Sequence, residues 1–242
     1  TNVDIEDLRH VINWFIHYFK PIIHTKTQLE GFITRKIERG DIKKEDIVKI
    51  LKKADFHISD IILEKEEKSI PSEFIDFLKK QSEDEHFEVK KSIITTTIVF
   101  EHSVNSNQYS LSFELESEGT KRFYGFAGLL ALLIKTPTIF PIDELESSLH
   151  PDLYTHFLLS FLQNAQHSQL IATTHNRELL GDTNIFRNDV IWFTDKGEDC
   201  ATELYSLADF DTSNIKNFLN AYKIGKFSGV PRLFDTFIDL EQ

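Results

Sequence analysis

Two adjacent carboxylates close a short apolar run in TIFPIDELESSLHP, Thr138–Pro151. Taking a bare carboxylate out of water is costly unless something pairs with it. At the exit of a buried strand, a metal ion or a water awaiting activation would be that partner for Asp143 and Glu144. Ligands of open α/β sheets sit beyond the carboxyl ends of the strands. An Asp there can hold Mg²⁺ through water, and the next Glu can polarise an attacking water. Together they make the acidic half of a nucleotide-hydrolysing site. The plainer alternative is a pair of solvated turn residues, because Asp-Glu is a common dipeptide.

Two further stretches carry related chemistry. QLIATTHN reads as another short buried strand followed by His175, which could hydrogen-bond a terminal phosphate or hold a water. The chain has ten histidines, so on its own this one reads equally as a loop residue. ESEGTKR, Glu116–Arg122, places Ser117 and Gly119 ahead of a long apolar helix. A Ser hydroxyl, bare backbone amides and a helix N-terminus form an anion site. Lys121 and Arg122 add positive charge to it. The competing reading is a helix start capped by Ser or Thr.

The elements that would position these residues follow from hydrophobic periodicity. Before the first site, helices are expected over Val3–Phe19, Thr27–Arg39 and the KKEDIVKILKKADF segment, with Gly40 closing the second. HISDIILE reads as a strand, and Ser72–Gln81 as a helix with Pro71 at its first turn. HFEVKKSIITTTIVFEH and YSLSFELE read as two strands of a hairpin joined by a turn at 105–108. After Glu116 the character changes to a loop, an apolar helix, the TIFPI strand, the HPDLYTHFLLSFLQNA helix and the SQLIATT strand. A brief helix in HNRELLGD, strands DVIWFT and TELYSL, and a helix SNIKNFLNAYKIG stopped by Gly225 complete the chain. Alternating buried strands and helices from Gly119 to Thr194 point to an α/β fold with a parallel sheet. The organisation expected is a mainly helical segment over 1–85 and an α/β part over 86–242.

Bulk properties limit the function classes. The chain has 242 residues, a formal net charge of -12, and 40% hydrophobic against 27% charged residues, an ordinary globular composition. The acidic balance gives no support to broad binding of phosphate backbones, which relies on Lys and Arg. Cys200 is the only cysteine, which leaves no disulfide framework and no cysteine-rich zinc site. The run FAGLLALLI, Phe126–Ile134, is too short to span a bilayer, and TNVDIEDLRH has no signal-peptide pattern. No membrane association and a cytoplasmic location are the expectation. There are 21 Phe and no Met, and the chain opens on Thr1. A missing N-terminal part accounts for this, and so would modified methionines left out of the sequence.

In combination the order of the motifs resembles the ATP-binding-cassette type of P-loop ATPase. The specific branch is that of the bacterial AAA15 or AAA_21 proteins, related to the OLD-family ATPases. ESEGTKR resembles the signature motif, IFPIDE the Walker B strand, LESSLHP the D-loop and IATTHN the switch-histidine loop. DVIWFTDK, TELYSLADF and YKIGKFSGVP resemble the C-terminal segment of the branch, so the likeness runs from about Lys52 to Leu233. The resemblance implies an ABC-ATPase-like P-loop NTPase sheet flanked by helices, with a helical insertion toward the N-terminus, and ATP and Mg²⁺ as cofactors. Asp143 would support Mg²⁺, Glu144 would be the general base or water-positioning residue, and His175 would contact the γ-phosphate. Ser117 and Gly119 would reach ATP bound to the opposite subunit of a head-to-tail homodimer, with Ser147 and Ser148 near the seam.

Two departures accompany the likeness. No G-x-x-x-x-G-K-[ST] phosphate loop occurs in the 242 residues, so the resemblance implies the C-terminal part of a longer ATPase, weak or inactive by itself. Pro141 lies inside the Walker B-like strand, where a central strand cannot easily lose an N–H, and calls for a bulge or a shifted register. The family link further implies a bacterial phage-defence or DNA-related system, with a nuclease or toxin protein, DNA or RNA as partners. The alternative is a non-hydrolysing, ATPase-like scaffold or interaction module. A nuclease built on Asp182, Asp195, Glu198 and Asp199 is disfavoured, because these show no paired-metal layout and read as solvated loops.

Overall fold

The architecture is described from a computed structural model that covers residues 5–75, 92–105, 107–181 and 185–231. The chain is mixed α/β and divides into two compact units, Thr1–Thr173 and Thr174–Gln242.

The centre of the first unit is helix α4, Glu118–Lys135. The sequence-order helices before it are α1 (Ile5–Tyr18), α2 (Glu30–Glu38) and α3 (Lys44–Lys53). Phe123, Tyr124, Phe126, Ala127, Leu129 and Leu130 of α4 are all buried. A helix apolar on all sides belongs in an interior rather than on a surface. Its glycines allow the closest approach: a Cβ on Gly128 would lie 2.4 Å from the Ile33 side chain, and one on Gly125 2.7 Å from that of Leu29. On another face Phe126 meets Phe157 of α5 (Pro151–Asn164), ring centroids 5.1 Å apart.

Beside α4 runs a short parallel sheet. Strand β4 (Ile139–Ile142) is buried throughout and pairs with β5 (Gln169–Ala172), Pro141 lying opposite Ile171. On its other side β4 takes the 19–23 segment, through parallel bridges Phe19–Ile139 and Ile23–Ile142. The carbonyl of Pro141 accepts from Ile23 N at 2.9 Å. The N and C=O of a strand residue face the same neighbour, so the missing N–H of Pro141 faces this segment and not β5. The segment carries one more residue than β4 between the two bridges, and Pro21 lies within that bulge. The proline is thus absorbed by an irregular flank, the bulge alternative expected from sequence.

An antiparallel sheet in the order β1–β2–β3 covers another part of the unit. Its strands are β1 (Ile58–Ser69), β2 (Ser92–Val104) and β3 (Asn107–Ser112). β1 runs on through LEKEEKS because each of those residues finds a partner on β2. The expected FELE end of β3 is instead a single 3-10 turn, Phe113–Leu115. The Phe113 ring turns onto Phe100 and Tyr124, which takes the chain out of the sheet. The helix expected over Ser72–Gln81 opens with a turn at 72–75; its remainder, residues 86–91 of the next strand, and Ser106 lie outside the described residues.

The second unit holds β6 (Trp192–Lys196) and β7 (Thr202–Ser206), paired antiparallel, and α6 (Phe218–Lys223). Its core gathers Leu180, Phe193, Leu207, Phe218 and Phe227. Gly225, at φ +77°, stops α6 as its position predicts. Among the described residues β6 and β7 pair only with each other. β5 also departs from expectation: LIATT reads as a buried strand, yet Ile171 is 52% exposed.

Candidate functional site

The carboxyl end of β4 is held from both sides. On one side Asp143 N donates to Ile23 O at 2.8 Å. On the other, Thr173, just past β5, makes four contacts with the β4 end. Its N–H donates to Ile142 O and its C=O accepts from Leu145 N. Its hydroxyl donates to Asp143 Oδ1 at 2.7 Å and accepts from Glu144 N at 2.9 Å. The hydroxyl has one proton and spends it on the carboxylate, which fixes one oxygen of Asp143. The other, Oδ2, lies 3.6 Å from His24 Nδ1, and the Asp143 side chain is 45% exposed.

Glu144 adopts φ +45° and Ser148 φ +63° in the turn that follows. Left-handed backbone at a non-glycine residue costs on the order of 1 kcal/mol and persists only where the surroundings enforce it. Here the two bonds from Glu144 N and Leu145 N to Thr173 enforce it.

The start of α4 lies beside the same turn. Ser117 is the N-cap, its Oγ accepting from Thr120 N at 3.1 Å and lying 2.8 Å from Thr120 Oγ1. Capping and anion binding are compatible, since a hydroxyl that accepts here still has a proton to donate outward when Thr120 supplies the second bond. A Cβ on Gly119 would lie 3.4 Å from Ser148 O, so this helix start and the Ser147–Ser148 turn form one continuous surface. Lys121 folds onto Glu118 at 3.1 Å. Arg122 does not join them at the surface. Its guanidinium is buried over the Phe126 ring, 4.6 Å from the centroid, with Nη1 3.4 Å from His24 O. Burial pushes its pKa down.

His175 follows Thr173 by two residues and is exposed at the start of the second unit. Asp199 there accepts from Ala201 N, as a turn carboxylate does; Asp195, expected in a loop, instead lies on β6 opposite Glu203 of β7, where its carboxylate accepts from Lys196 N, and Asp182 lies outside the described residues.

Residues 25–181 match the family described as "AAA domain, putative AbiEii toxin, Type IV TA system". The chain belongs to this AAA-domain family. The match spans Ser117, Gly119, Asp143, Glu144 and His175. No curated protein matches the chain. Among solved structures it is similar to the crystal structure of the SmcHead bound to the C-winged helix domain of ScpA. Identity is 11% and the TM-score 0.46, with 76% of this chain and 55% of that chain covered. The AAA domain described here thus spans about half the length of that structure.

The donor set of this AAA domain suits Mg²⁺. That ion takes one or two carboxylates and substrate oxygens rather than a full protein cage. Asp143 offers such an oxygen, and among the described residues no group of three or more His, Cys, Asp or Glu side chains gathers into a protein-only metal site. Sequence reasoning singled out Asp143 and Glu144 but missed Thr173 and His24. Thr173 lay inside IATTHN, where His175 drew attention. His24 had no local signal at all. No helix among the described residues is long and apolar enough to cross a membrane.

Proposed function

We propose that this chain forms the acidic half of a Mg²⁺-dependent ATP-hydrolysing site, with the phosphate-binding lysine loop supplied from outside the 242 residues. The observation that carries the reading is the Thr173 clamp, which holds Asp143 and the strained Glu144 side by side at the end of a buried strand. Asp143 would hold the metal through Oδ2, with His24 beside it. Glu144 orients a water and takes its proton. His175 donates to the γ-phosphate. Bound Mg²⁺ would neutralise charge on the phosphate oxygens as the terminal group transfers.

Ser117 and the amide of Gly119 serve ATP held by a second copy. The active form is then a head-to-tail homodimer, with Ser147 and Ser148 at its seam and Lys121 adding positive charge. Arg122 supports the arrangement from behind, through the His24 carbonyl. The mainly helical segment 1–85 would carry the inserted partner surface and 86–242 the ATPase part. The family description, with its toxin and toxin–antitoxin context, supports a cytoplasmic bacterial defence role beside a nuclease or toxin protein or a nucleic acid.

The test is Mg²⁺-dependent ATP turnover by the intact protein and by Glu144→Gln. A loss of about 100-fold or more is expected, the scale of a general base. Turnover by Glu144→Gln at the wild-type rate refutes the role of Glu144. If the intact protein neither binds nor hydrolyses ATP, a non-hydrolysing scaffold takes its place.

A further inference from the structure

Glu116 is a nearly buried carboxylate with no part in the hydrolysis just described. Its side chain is 7% exposed, and its Oε1 lies 2.6 Å from Nε2 of His102, itself 23% exposed. A carboxylate at that depth is retained at a cost of several kcal/mol unless a partner compensates it. The partner here sits on β2, the middle strand of the antiparallel sheet, opposite Ile58 on one side and Tyr109 on the other. Glu116 immediately precedes Ser117, the N-cap of α4.

Two residues before His102, and so on the same face of β2, Phe100 packs edge-on against Phe113 and Tyr124, with centroids 5.7 and 5.3 Å apart. One strand face therefore grips the Phe113–Tyr124 stretch at two points: Phe100 by packing and His102 by a polar contact to Glu116. The aromatic packing sets no hydrogen-bond direction. The His102 contact is directional and fixes where the chain enters the helix.

We infer that His102 is a positioning residue for the Ser117–Gly119 helix start, acting through Glu116. The functional half of this inference rests on the proposed service of that start to ATP on a second copy. The Glu116 contact sets the N-cap, and the N-cap sets the direction of the Ser117 hydroxyl and the Gly119 amide. The antiparallel sheet thereby becomes the mount of the helix start.

The experiment compares His102→Leu, which keeps bulk without a donor, with His102→Gln, whose amide reaches the same place. Hydrogen exchange is read at the Thr120 and Lys121 amides, which donate to Ser117 Oγ and Ser117 O. In His102→Leu these amides exchange about tenfold faster relative to the β2–β3 amides, and the Tm falls because Glu116 loses the partner that compensates its burial. In the intact protein kcat for ATP falls about tenfold at unchanged KM, because the displaced group serves the transition state of the other copy's nucleotide. His102→Gln recovers both readouts. Unchanged Thr120 and Lys121 exchange overturns the inference, as does faster exchange spread over β2 and β3, which marks a packing role. Faster local exchange with unaltered kcat in an active protein also overturns it. If the wild-type protein shows no turnover, the ATPase reading is what has failed, and the exchange result alone decides whether His102 holds the helix start.

Discussion

β4 and β5 lie side by side in one parallel sheet and have similar apolar sequences, yet they live in different environments. Every residue of β4 is buried, whereas Ile171 in the middle of β5 is half exposed. β4 has the 19–23 segment on one edge and β5 on the other. Among the described residues β5 pairs with β4 alone. Pairing satisfies backbone groups but does not by itself bury side chains. That takes neighbours on the faces and on both edges. The acidic residues stand at the end of the covered strand, but the residue that holds them, Thr173, comes from the end of the uncovered one.

The comparison can be tested by substitution. Ile142→Ala in β4 is expected to destabilise the protein by about 2–5 kcal/mol, the cost of a cavity in a site that cannot collapse. Urea unfolding reads this as a lower midpoint at constant slope. A loss below about 1 kcal/mol would erase the contrast between the strands.

Thr173→Val should cost about 1–3 kcal/mol, because it keeps the shape and leaves Glu144 N and Asp143 Oδ1 without the hydroxyl. ATP turnover by the intact protein should fall with it, and wild-type turnover would show that the clamp is dispensable. Ile171→Ala in β5 should stay within about 0.5 kcal/mol of wild type, as exposed positions do. A larger loss by the same urea measurement would mean that this face is covered in solution.

The smallest effect is expected away from both strands, where Lys135 at the end of α4 meets Asp46 on α3. The hydrogen bond from Lys135 holds the Asp46 carboxyl below its usual pKa despite some opposing desolvation. A depressed folded-state pKa contributes stability above the unfolded value, about 3.9, and that stability is lost as pH falls through the folded pKa. Asp46→Asn should therefore lower stability slightly at pH 7, where the pair is intact, flatten the acid limb of the stability–pH curve, and converge on the wild type well below about pH 4. An equal loss at both pH values would assign Asp46 a packing role.

Much of this was legible in the sequence. An apolar run ending in two acids announced the end of β4, and Gly40 and Gly225 marked helix ends that the chain observes at φ +75° and +77°. Ser117 was readable as a cap. The Thr173 clamp and the His24–Asp143 approach were not, since each joins residues far apart in the chain and neither has a local pattern. The exposure of β5 was hidden for a related reason: the letters of a strand state its propensity, not what lies over it. The length of β1 was hidden too, because a charged run such as LEKEEKS becomes a strand only through the threonine-rich partner it meets.

The bridge between the 19–23 segment and β4 has a consequence for how the chain is made. These two pieces of one sheet are separated by roughly a hundred residues or more, and at about 5–20 residues per second the ribosome needs on the order of ten seconds to deliver the second. Throughout that interval Ile23, buried in the finished protein, has no β4 to lie against. The closing contact is long-range and therefore slow to be found. The nascent N-terminal helices must wait in an unfinished state, and chaperones have their longest opportunity to act there.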